Sequence, residues 1–228
     1  MPESSIPHAY SRLQAWAHDN IVAERALRLH AYVLDHGKLA TVLSEKRNRT
    51  LLDVGCGGGQ SAIRLKELYP HLTVTGIDLS EVMIAAARER AKRSRADVQF
   101  QVADAQAIPF PDASFDVVFS FGSAKHWPDP LKGLGECWRV LKPGGELLVA
   151  DATSDATVEE VGNFYSIAGF PRIFRYPIGQ VLLRKMFRPA RPVAQYEEIA
   201  EQLRMPPGSV GKVPSMPVFL FRTRKPAA

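Results

Sequence analysis

The residues able to do chemistry cluster around one stretch, residues 51–60, Leu-Leu-Asp-Val-Gly-Cys-Gly-Gly-Gly-Gln. An apolar run ends in an acid, breaks into glycines and passes straight into a helical pattern. Glycine has no Cβ and tolerates positive φ, so such a turn lets backbone come close to a ligand. The helix that follows offers unpaired N–H groups. Two further apolar runs also end in acids, at Asp78 and at Asp104-Ala105. Asp78 stands where a carboxylate can accept hydrogen bonds from both hydroxyls of a ribose. Gly55, Gly57 and Asp78 alone admit NAD or another nucleoside-containing cofactor. Asp53 narrows the choice: a carboxylate there repels a pyrophosphate and suits a cationic amino group. Asp104 can accept from an adenine amino group. The set favours an adenosine bearing a charged amino acid over NAD.

The elements that must position these residues follow from hydrophobic period. Residues 9–47 read as helices. Strands are expected at 50–54, 73–77, 98–102, 115–120 and 146–150, each apolar along its length, with helices between most of them. Ser80 suits a helix N-cap, and Gly144-Gly145 a helix end and turn. Asp116 opens its strand, away from the ligand-binding end, and reads as structural. Alternation of this kind predicts an α/β fold with a parallel sheet covered on both faces. Ligands bind such sheets at the carboxyl ends of the strands.

Bulk properties set outer limits. The 228 residues carry a net charge of +5, with pI near 9.3. No apolar run reaches the ~18 residues of a membrane helix, and the first residues lack a secretory pattern, so a cytoplasmic protein is expected. Cys56 and Cys137 imply neither a disulfide nor, by themselves, a metal site, and no metal is expected. Residues 161–196 contain no acid, but carry Arg172, Arg175, Arg184, Lys185, Arg188 and Arg191 among aromatics. That segment suits a planar, anionic or lipid-linked small molecule, including one at a membrane surface. A solvated basic face is the plainer alternative.

Residues 52–59, 76–80, Asp104-Ala105, 110–116 and 139–145 resemble, in order, the motifs of the class I S-adenosylmethionine-dependent methyltransferases. The resemblance covers about residues 50–151. It is strongest to the branch with the ubiquinone and menaquinone biosynthesis methyltransferases and many small-molecule enzymes. It implies a Rossmann-like, doubly wound, seven-stranded sheet, mostly parallel with an antiparallel last strand. It also implies N-terminal helices and a helical cap insertion. The chain is then a single domain (1–228): N-terminal helices at 1–49, a cofactor-binding core at 50–151, a cap or substrate segment at 152–204 and terminal strands at 205–228. The sixth strand is placed at 209–213, where the family's usual turn is replaced by Leu203-Arg204-Met205-Pro206-Pro207.

The same resemblance assigns Gly55 and Gly57 to the methionine end of S-adenosylmethionine, Asp78 to the ribose and Asp104 to the adenine. Leu79 and Met83 pack on the adenosine, although their helical spacing also suits plain core. Ser120 brings its backbone near the cofactor, and Tyr10 caps it. The expected activity is methyl transfer to a small molecule, releasing S-adenosylhomocysteine. In-line displacement needs the nucleophile held at roughly 3 Å, and a base helps when a hydroxyl must lose its proton. His126, in Ser123-Ala124-Lys125-His126-Trp127-Pro128, is the candidate base, and shaping the pocket is its alternative. Nucleic-acid methylation rests only on pI. Ser120-Phe121-Gly122-Ser123 lacks the Asn/Asp-Pro-Pro-aromatic motif of amino-methylating DNA enzymes, and neither cysteine lies in a Pro-Cys loop. A non-catalytic S-adenosylmethionine sensor is the remaining alternative.

Overall fold

The computed structural model describes residues 28–29, 31–32, 39–44, 48–169, 180–181, 183–206 and 210–227. Seven strands form one sheet in the order β3-β2-β1-β4-β5-β7-β6. They are β1 (Thr50–Val54), β2 (Thr73–Asp78), β3 (Val98–Val102), β4 (Phe115–Phe121), β5 (Leu141–Ala152), β6 (Val210–Lys212) and β7 (Val218–Arg224). β1 to β5 pair in parallel, and β7 runs antiparallel to both β5 and β6. The mostly parallel, seven-stranded expectation holds, with the last strand antiparallel. The sixth strand is shorter than its expected span.

Of the helices expected over 9–47, α1 (Leu39–Ser44) lies among the described residues. The others are α2 (Gln60–Leu68), α3 (Glu81–Ser94), α4 (Pro130–Val140), α5 (Val158–Ile167) and α6 (Val193–Gln202). Their ends follow local chemistry. Ser80 caps α3 by accepting from the Met83 amide at 3.4 Å. Asp129 caps α4 before Pro130, and Thr157 and Glu160 form a reciprocal capping box on α5.

Side chains alternate across the sheet into two cores. Leu52, Val54, Val118, Leu147, Val149, Phe219 and Phe221 face α4 and α6. Leu51, Val74, Val117, Phe119 and Leu148 face α2 and α3. Thus α6, inside the segment expected to form a cap, lays Tyr196, Ile199 and Ala200 on the sheet.

Two polar clusters fasten the amino end of the sheet. Asp116 accepts from the Thr50 amide at 2.8 Å and pairs with Lys142 at 2.9 Å. Its structural assignment agrees with this position. Arg139 reaches Glu136, Asp112 and the carbonyls of Ile108 and Phe110. The carboxyl end is thereby left as the place for loops.

Register also depends on close packing at Gly76 in β2. A Cβ there would lie 2.7 Å from the Phe100 ring and 2.9 Å from Cys56 Sγ. Gly76→Ala should therefore destabilise the protein by about 1–3 kcal/mol through overpacking, read as a lower urea midpoint at unchanged m.

Candidate functional site

The strand order reverses between β1 and β4, the crevice where open parallel sheets bind ligands. Their ladder runs to Asp53 opposite Phe119. Beyond it, the buried Ser120 hydroxyl donates to the Val54 carbonyl at 2.7 Å. The Ser120 side chain is therefore committed to joining the strands.

The glycine turn opens from this point. Gly55, Gly57 and Gly59 all have positive φ, and the Gly55 and Cys56 amides donate to the Ile77 carbonyl at 2.8 and 2.9 Å. A Cβ at Gly55 would collide with the Ser123 side chain. The close approach that requires glycine there is made by the loop after β4, a contact with no local sequence signal. Arg90 of α3 donates to the Gly58 carbonyl and steadies the turn from outside.

Asp78 sets the geometry of the turn. One carboxylate oxygen accepts from the Gly57 amide at 2.9 Å, and the other accepts from the Ser80 amide at 2.9 Å. It joins the turn to the start of α3. Leu79 beside it is 58% exposed, whereas Met83 is buried beneath the turn against Gly57. The structure thus separates two residues that the resemblance grouped.

Asp53 points under α2, which donates to it through the Ala62 amide. Its side chain is 2% exposed, and its Oδ2 has no partner among the described residues. Burial, then the nearby charge of Asp78, pushes its pKa up to about 8. Burial and the same two carboxylates also push the Cys56 thiol well above its usual range. At pH 7 Asp53 is therefore mostly protonated, Asp78 carries the negative charge at the turn, and one buried Asp53 oxygen has no partner among the described residues. That environment disfavours a phosphate and suits a cation.

Asp104 lies at the end of β3 and closes an Asx turn, accepting from the Gln106 amide at 2.8 Å. The Gln106 side-chain amide touches the same carboxylate, and its carbonyl accepts from Asp129 at 2.9 Å. Asp-x-Gln after a strand was the available signal for that turn. Ala105 beside it is half-buried.

The loop from β4 to α4 carries His126 in a single 3₁₀ turn, Ala124–His126. His126 is exposed, while Ala124 and Trp127 on either side are buried. Partial desolvation by the packed loop and the Lys125 charge hold the His126 pKa below its ordinary 6.5, against Asp151 and Asp78. The ring is thus neutral, and able to accept a proton, at pH 7.

One functional candidate escaped the sequence reading, and one expected residue takes different partners. Asp151, at the end of β5, is 2% exposed and pairs with Lys125 at 3.1 Å. Its strand-end position, shared with Asp78 and Asp104, was the signal. Arg191, expected among substrate-facing arginines, donates instead to backbone carbonyls of the His126 loop. Tyr10 lies outside the described residues, as do Arg172 and Arg175.

Residues 52–149 match the family described as "Methyltransferase domain". The chain is 42% identical over 116 residues to a 27-O-demethylrifamycin SV methyltransferase of Amycolatopsis mediterranei, spanning 50% of this chain and 42% of that one. It is 42% identical over 107 residues to a demethylmenaquinone methyltransferase of Thermus thermophilus, spanning 47% and 49%. The chain thus spans about half the length of the curated relatives it matches. A solved SAM-dependent methyltransferase from Aquifex aeolicus superposes with TM-score 0.65 at 20% identity, covering 94% of this chain and 98% of that one. At that identity the likeness establishes a shared fold.

The buried Asp53 makes stability depend on pH. Its folded pKa of about 8 lies above the 3.8 of an ordinary, solvated aspartate. Its contribution is complete below the lower value and is lost as pH rises through the higher one. Asp53→Asn should gain stability over the parent as pH is raised from about 5 to about 9, by a few kcal/mol at ~1.4 kcal/mol per unit. Urea unfolding at the two pH values measures it, and a gap that does not widen contradicts the assignment.

Proposed function

We propose, for a chain that carries a class I S-adenosylmethionine-dependent methyltransferase domain, that it transfers a methyl group to a small-molecule acceptor. The observation that carries the cofactor half of this reading is the orphaned, buried Oδ2 of Asp53 in the negative field of the glycine turn. A cationic amino acid moiety relieves that field, where a pyrophosphate would add to it.

The residues present fit the cofactor. Gly55, Gly57 and Asp53 hold its methionine end, and the Asp78 carboxylate takes the ribose. Asp104 and Ala105 meet the adenine. Exposed Leu79 covers the adenosine, and Met83 supports the turn from below. The Ser120 backbone borders the crevice. When bound, S-adenosylmethionine supplies an electrophilic methyl group and leaves as S-adenosylhomocysteine.

His126 takes the proton that an acceptor hydroxyl loses, which leaves the acceptor oxygen as the nucleophile. The neutral ring expected at pH 7 is the form that can do this. The loops at the carboxyl edge exclude water and set the acceptor's approach. Residues 152–204 supply the acceptor side, with basic and aromatic groups suited to an aromatic, anionic or lipid-linked molecule. The rifamycin and menaquinone methyltransferases named above support a small-molecule acceptor. No helix among the described residues is long and apolar enough to cross a membrane, so contact with lipid would be peripheral.

The direct test is transfer of radiolabelled methyl from S-adenosylmethionine to a panel holding a reduced naphthoquinone, a simple phenol, RNA and DNA. Label in a small acceptor is expected. Label in nucleic acid alone overturns the acceptor class, and tight cofactor binding with no transfer supports a sensor. Asp78→Ala should weaken S-adenosylhomocysteine binding by about tenfold or more in calorimetry, since hydrogen bonds to a charged group contribute ~1.5–3 kcal/mol. His126→Ala should lower kcat by about 10²–10⁴-fold while cofactor affinity stays. In the parent, kcat should fall on the acid side with a midpoint below 6.5. Unchanged turnover in His126→Ala removes that residue from the mechanism.

A further inference from the structure

We propose that Arg191 and Asp151 are positioning residues that grip residues 125–128 from opposite sides and fix His126 against the methyl-transfer site. This rests on the reading of His126 given above. The loop between β4 and α4 is held internally by few bonds. Within it, the His126 amide donates to Ser123 at 2.9 Å and the Trp127 amide to Ala124 at 3.2 Å. The Lys125 amide has no place in that turn and donates instead to Asp151 Oδ2 at 2.8 Å. Lys125 Nζ meets Asp151 Oδ1 at 3.1 Å and the Gly122 carbonyl at 2.9 Å. The Ala152 amide adds a further bond to Asp151 Oδ1 at 2.7 Å. A carboxylate buried at 2% exposure requires such pairing, so Asp151 and the loop fix one another.

The carbonyl side of the same segment belongs to Arg191. Its guanidinium donates to Lys125 O at 3.4 Å, Trp127 O at 3.0 Å and Pro128 O at 3.4 Å. The residue is tied back to the chain after β5, because the Ser154 amide donates to the Arg191 carbonyl at 3.3 Å. A planar fork of donors can span three carbonyls, whereas a lysine ammonium at the same place cannot. Trp127 is buried, and its indole donates to Ser123 at 3.1 Å. Within residues 124–127 only His126 is exposed. Arg191 comes from the segment that supplies the acceptor side, so the placement of that segment and of His126 are mechanically linked.

Arg191→Lys and Arg191→Gln are to be compared with the parent, using the small acceptor of the panel above that accepts label. The expected result is a fall in kcat of about tenfold to a hundredfold in both variants, as misplacement of a catalytic group produces. The acceptor KM and the S-adenosylhomocysteine affinity should change by less than about threefold. Amide hydrogen exchange in cofactor-free protein should quicken over residues 122–128 and stay unchanged over residues 51–60. Asp151→Asn should quicken the same segment. Rescue by Arg191→Lys, or a raised KM at unchanged kcat, would mean that Arg191 binds an anionic acceptor directly and would overturn the proposal. So would unaltered exchange over residues 122–128 in Arg191→Gln. Exchange reports the grip without any acceptor: quickened exchange in a protein that methylates nothing supports the grip and fails only the methyl-transfer reading.

Discussion

A carboxylate that must serve two backbone amides at once governs the ligand end of this molecule. Asp78 holds the glycine turn through Gly57 and the start of α3 through Ser80. It thereby sets how far the turn stands from the helix, and hence the width of the space between them. Asp53 lies beneath, where burial and the Asp78 charge hold it protonated at neutral pH, and a bound cation would draw that proton off. The outcome is a turn with glycine's permissive backbone and a negative interior. A dinucleotide turn uses the same glycines to bring amides to a phosphate. Here the acids change what those glycines can accept.

The crevice exists because of strand order. β2 and β3 are laid on one side of β1, and β4 and β5 on the other, so the connections diverge at the β1–β4 boundary. The Ser120–Val54 hydrogen bond is the last tie between those strands, and Ser123 closes over Gly55 just beyond it. Donor side and acceptor side thus meet at a contact between a glycine and a serine.

The basic balance of the chain has a physical use that composition hides. Arg88, Arg90, Arg139 and Arg191 all donate to backbone carbonyls, at Phe100, Gly58, Ile108 with Phe110, and the His126 loop. Arg88 serves a carbonyl of the edge strand β3, and the other three gather chain that lacks a regular ladder. Irregular backbone leaves acceptors unpaired, and one guanidinium satisfies several. These four arginines are thereby engaged with the chain's own backbone.

The sequence by itself determined the parallel strands, the glycine turn, Asp78 and Asp104 at strand ends, and the cap at Ser80. Each is written in residues a few positions apart, where period, turn chemistry and capping act locally. It also identified Asp53, though not that one of its oxygens is buried without a partner. Only the tertiary structure decided that Ser123 covers Gly55, that Met83 lies under the turn while Leu79 faces out, and that Arg191 serves a loop. The Arg191 bonds to that loop join residues 63 to 66 positions apart. No local pattern encodes them, because they depend on where β5 and α6 come to rest beside β4. Sequence spacing specifies which groups stand at a strand end; the packing of distant elements selects which of them remain free for a ligand.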